Sequence, residues 1–193
     1  MDVKEAQQDV RRAYRGGFSG PLVSALVWVT AAAVYQWGSA AAAAMVVLFI
    51  GGMLIFPLSA LVLKAMGGPA FLPKKHPSNA LAMQSAFTVP LGLLVAIALG
   101  TLAPSLFFPA SLIIVGAHYL TFISLYGMRL YGVLAGVLVA VGAAAIFVVP
   151  TLRDASGWIG AAVLLVSAIP LFISHRAEEA ASVSVTRQVF ESS

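Results

Sequence analysis

The sequence predicts an all-α fold, a polytopic bundle of six transmembrane helices joined by short loops, and three observations carry that prediction. Hydrophobic residues make up 61% of the 193-residue chain and charged residues only 9%, whereas soluble domains carry about a quarter charged residues. A 20.0 kDa soluble globule must still clothe a large surface in polar groups, and this chain has too few. The apolar residues fall into six runs, each near the roughly 20 residues that a helix needs to cross about 30 Å of hydrocarbon. Lysine and arginine cluster in alternate connections, as the positive-inside rule requires.

A basic segment, residues 1–20, precedes the first run. The six spans are placed at about 21–37, 40–66, 79–100, 106–127, 130–150 and 157–174, followed by a tail, 175–193. Backbone groups in lipid must be paired, so each span is a helix or a barrel strand, and the runs lack the alternation of barrel strands. The short connections make consecutive spans antiparallel neighbours. With the N-terminus inside, Lys4, Arg11, Arg12, Arg15, Lys64, Lys74, Lys75, Arg129, Arg176 and Arg187 fall on one side and Arg153 alone on the other. Both termini are therefore expected in the cytoplasm. A rival reading takes the basic start and the first apolar run as a cleaved signal peptide, which leaves five spans.

Trp37 and Trp158 at outer ends, and Tyr14, Tyr126 and Tyr131 near inner ends, are expected to anchor at the interfaces. The phrases Phe18-Ser19-Gly20-Pro21-Leu22 and Phe87-Thr88-Val89-Pro90-Leu91 suggest a duplicated hairpin. The tail from Ala177 to Ser193 reads as frayed helix or disorder.

The absence of cysteine removes disulfides, thiolate chemistry and cysteine-ligated metals. All seven acidic residues, Asp2, Glu5, Asp9, Asp154, Glu178, Glu179 and Glu191, lie outside the spans. A carboxylate-driven pump is disfavoured on that ground, because such pumps place the acid inside the membrane. No metal site and no cofactor are expected, and no phosphate loop, dinucleotide fingerprint or nucleophile elbow occurs. The basic residues serve topology rather than nucleic acid.

His118 is the ionisable residue near the middle of a span, and a neutral imidazole in hydrocarbon needs partners. Thr121 extends its polar face by one turn. Gln84, Ser85 and Thr88 form a second stripe on the preceding span, so a midplane pocket of His118, Thr121, Gln84, Ser85 and Thr88 is expected. Packing through an interhelical hydrogen bond and direct contact with a solute are both open readings of His118. Gly51, Gly52 and Pro57, and likewise Pro90 and Pro170, are candidate helix bends or breaks. Lys64, just before the longest loop, and Lys74, Lys75 and His76 within it are candidate contacts for anionic lipid or solute. Gly132, Gly136, Ala140 and Ala144 recur every four residues and form a ridge suited to packing within the subunit or between copies in a homo-oligomer.

Membrane lipids are the expected surroundings, and the composition suits a bacterial cytoplasmic membrane. The functional expectation is a small channel or facilitator for a neutral or weakly charged solute. A noncatalytic membrane assembly subunit is the alternative, and an intramembrane enzyme built on His118 ranks last.

Overall fold

A computed structural model describes residues 2–192, with side chains for 2–180 and 184. Among the described residues the elements are α1 (Val3–Ala13), α2 (Ser19–Trp37), α3 (Ala41–Ala65), α4 (Ser78–Leu102), α5 (Phe107–Tyr126), α6 (Leu130–Phe147) and α7 (Ser156–Ser192), with no strands. Six of the seven helices are long and apolar enough to cross a membrane. The protein is an all-helical membrane protein.

The short first helix comes in addition to the six spans that the sequence predicts. Asp2 and Glu5 form a capping box, each side chain accepting from the other's backbone amide. Behind it Val10 and Ala13 face inward and are buried. Gln7 Nε2 donates to Ser124 O at 2.8 Å, Arg11 donates to Tyr126 O at 2.5 Å, and Arg11 pairs with Glu178 at 3.2 Å. These bonds hold α1 across the ends of α5 and α7, so both terminal segments lie on one side of the bundle. The chain then turns into α2 through Arg15, Gly16 and Gly17, all with positive φ. A Cβ at Gly17 would strike the Tyr131 hydroxyl and the Tyr126 ring, and that hydroxyl donates to Gly16 O at 2.9 Å. Only glycine fits such a turn without strain.

The helices form a ring in chain order, with α7 returning to pack along α2, while α3 and α4 touch sparingly. Sequential pairing is legible in the sequence; the closure by α2 and α7 is not. α5 is largely buried, and its Phe107, Phe108 and Leu112 belong to the core, where Phe108 meets Trp28 of α2. Gly160 lets α7 approach there, because a Cβ would lie 2.7 Å from the Trp28 ring. Gly127, at φ 67°, ends α5, its amide donating to Ile123 O at 2.8 Å. Arg153, the lone basic residue at the other end of the bundle, donates to Ala145 O and Ile146 O and so caps the end of α6.

Several expectations need correction. α3, α4 and α7 stay continuous helices through Pro57, Pro90 and Pro170, which excludes a break there but does not bear on the expected bends. Gly51 serves packing, since a Cβ there would collide with Val27. Tyr126 and Tyr131 are buried against each other and against Phe122 rather than lying at an interface. Pro21 sits in the first turn of α2 while Pro90 lies mid-helix in α4, so the two similar phrases do not mark equivalent positions. The helix α7 continues through the expected tail, and the side chains of Arg187 and Glu191 lie outside the described residues.

Candidate functional site

Where α3 and α4 separate, they leave a cavity of about 540 Å³ bounded by α2, α3, α4 and α5. That volume lies within the range of small-molecule sites. It reaches from Tyr14, Lys74 and Asn79 at the α1 end of the bundle to Leu48, Leu93 and Val115 near mid-bundle. Beyond those residues the space is filled. Met45 is 4% exposed, and a Cβ added at Gly100 would fall 2.5 Å from its methyl and 3.0 Å from Phe107. The cavity is therefore a blind pocket, approached from the side of the termini and closed at the other.

Its wall is mostly apolar. The residues with polar groups are few: Ser19, Ser24, Ser59, Tyr14, Tyr119, Tyr126, Trp28, His118, Asn79 and Lys74. No carboxylate lines it among the described residues. Ser59 is already committed, donating to Ser19 O at 3.2 Å and tying α3 to α2. Tyr14 stays a neutral phenol, its pKa pushed up by burial against the opposing hydrogen bond to Leu72.

His118 lines the wall near mid-bundle. Its Nδ1 lies 2.9 Å from Ser85 Oγ on α4, and its ring packs edge-on to Phe122 at 4.7 Å and beside Tyr119 at 5.5 Å. Ser85 stands buried behind the ring, not in the cavity. Nε2 has no hydrogen-bond partner among the described residues. An imidazole held by one nitrogen and free at the other can donate to, or accept from, a neutral solute.

The expected midplane pocket is thus only partly assembled. The structure joins His118 with Ser85 but leaves Gln84 and Thr88 on the exposed side of α4, where Thr88 Oγ1 donates to Ser85 O at 2.7 Å. Thr121 does not reach the cavity either. One residue of rotation on a helix is about 100°, which is why Ser85 faces α5 while Gln84 faces outward. Gly52 and Pro90 line the cavity, whereas Gly51 does not.

The basic cluster also divides. Lys74 lines the cavity mouth, Lys64 lies over the Phe71 ring at 5.1 Å, and Lys75 is exposed. His76 is no headgroup contact: it is buried, its Nδ1 accepts from Ser78 N at 3.2 Å, and its Nε2 lies 3.5 Å from Asp9 of α1. Asn79 Nδ2 donates to Pro73 O at 2.8 Å and Lys74 O at 3.1 Å, which fixes the loop over the start of α4. The serines of α2 and Tyr14 give little signal in the sequence because they sit singly among apolar residues.

The model of one protein family, described as a family of unknown function and designated DUF7010, matches residues 3–175. The chain belongs to DUF7010. The match begins at the first residue of α1 and ends at His175, so this DUF7010 chain carries the family's region across the cavity and the helix at its mouth. No curated protein and no solved structure matches the chain.

Proposed function

We propose that this membrane protein is a small facilitator that takes a neutral or weakly charged, largely apolar solute into the blind cavity. The carrying observation is a ligand-sized, carboxylate-free cavity in which His118, held by Ser85, offers one unpaired ring nitrogen. Passage to the far side then requires α3 and α4 to part at Met45 and Gly100, a rocking of helices of the kind that gates alternating-access proteins. On this reading the protein is not an enzyme, and the distribution of lysine and arginine argues for both termini in the cytoplasm of a bacterial cell.

The test is solute flux into proteoliposomes for the native chain, His118→Ala and Gln84→Ala. Flux should fall at least severalfold in His118→Ala and remain native in Gln84→Ala, whose side chain faces outward. Equal flux in all three and in protein-free vesicles, over a panel of small neutral solutes, sinks the proposal.

A second reading, assembly with another copy, draws support from the small-residue ridge. A methyl group added at Gly136 would meet nothing within 4 Å, and Ala140 is exposed one turn along. Gly132 and Ala144 are half-buried, Gly132 against Ile123. Gly136 and Ala140 thus leave a face of α6 that admits close approach by a second helix. Cross-linking through Gly136→Cys in native membranes tests it: no dimer at any oxidant level rejects this interface.

A further inference from the structure

The cavity is long as well as apolar. Its α4 wall runs from Asn79 to Leu93, and about fourteen residues at 1.5 Å each give about 21 Å, more than the roughly 15 Å of one hydrocarbon leaflet. A compact solute leaves most of that length empty. An extended chain fills it.

The side of the cavity is open to lipid. Met53 and Phe56 on α3 and Met83 on α4 line it, yet they are 56%, 54% and 60% exposed, so the cleft between the two helices communicates with the bilayer core. An apolar chain can enter there without crossing water, at no hydration cost.

The charge lies at one end. Among the described residues Lys74 is the only lysine or arginine in the lining, no acidic residue accompanies it, and its ammonium has no carboxylate partner. Asp9 of α1, which approaches this loop, is turned to His76. The hydrogen bonds from Asn79 fix the backbone that carries Lys74, in the loop between α3 and α4 at the mouth of the cavity. A fixed cation above an apolar slot is complementary to an anionic amphiphile lying head outward.

We propose that the cavity binds an acyl chain bearing an anionic head, with the chain between α3 and α4 and the head at Lys74. This rests on the cavity being a ligand site, as in the facilitator reading above, and names the class of its ligand. The chain is supplied either as a free fatty acid or as part of an anionic phospholipid, since the two share the recognised chemistry.

Trp28 lines the cavity and provides the probe. The full chain is purified in detergent with Trp37→Phe and Trp158→Phe, leaving Trp28 as the single tryptophan of three. Its fluorescence is titrated with dibromostearate, with a dibrominated phosphatidylglycerol and with dibrominated stearyl alcohol, bromine being a contact quencher. Saturable quenching is expected with at least one of the two anions, and which one identifies the source. Lys74→Glu should weaken that binding at least tenfold. Gly52→Leu, whose side chain projects into the cavity toward Leu93, should abolish it while the thermal unfolding midpoint stays within a few degrees.

Equal binding of the alcohol and the acid, unaffected by Lys74→Glu, overturns the anionic head but leaves the cavity a ligand site. Quenching that never saturates with any of the three overturns the acyl-chain inference. The flux assay with small solutes then decides separately whether the facilitator reading stands.

Discussion

Two sides of the same bundle are packed in opposite ways. Where α5 meets α6, and where α2 meets α7, glycines bring backbones together: a Cβ at Gly142 would lie 2.6 Å from Pro109 O, one at Gly116 3.0 Å from Ala135 O, and one at Gly157 3.0 Å from the Ala32 methyl. Where α3 faces α4, Gly52 has only Leu93 at 3.5 Å, and the space beyond is the cavity. In lipid there is no hydrophobic drive between helices, so close van der Waals packing is what holds the first side together. The second side lacks that packing over half its length and is correspondingly free to admit a ligand or to move.

The contrast is sharpest in a pair of glycine replacements. Gly142→Leu forces a side chain against the α5 backbone, which cannot yield as a flexible side chain would, and should cost about 3 kcal/mol. Gly52→Ala should be neutral or stabilising by up to about 1 kcal/mol, because alanine is the better helix former. Thermal unfolding in detergent measures both. If the two variants lose stability equally, the distinction between a packed side and an open one is wrong.

Met45→Ala removes the plug between α3 and α4. It should cost about 2 kcal/mol as a large-to-small change at a buried site and also raise passive flux through the liposome membrane. Loss of stability without any added flux would mean that the closed end is sealed by more than Met45. A smaller effect is expected from Ser85→Ala, which leaves His118 Nδ1 unpaired and should cost about 1 kcal/mol. Nitrogen chemical shifts of the imidazole should move in that variant, and unchanged shifts would show that Ser85 does not set the ring's hydrogen bonding.

Much of the helical layout is legible without coordinates, because a run of apolar residues of bilayer length is a strong and local signal. α1 carries a signal as well, but a second one masks it. Its capping box Asp2-x-x-Glu5, followed by Ala6, Val10 and Ala13 on one face, is the usual signature of an amphipathic start, while Lys4 and the arginines around it read first as topology. The candidate site is readable in outline only. His118 and Ser85 stand out as polar residues within spans, but nearness in sequence groups Gln84 and Thr88 with Ser85, although the three point in different directions around the helix.

Composition and spacing by themselves determined that this is a membrane protein with six helices of spanning length, and that no carboxylate falls within the six apolar runs, since each follows from which residues are present and in what order. Which helix faces turn inward was decided only in three dimensions. In a soluble helix polar residues mark the outside, but here core and lipid are equally apolar, so the pattern that would distinguish them is nearly absent. The outward Gly136, the buried Gly142, the paired Ser85 and the gap between α3 and α4 all depend on how whole helices fit, a property that no single segment contains.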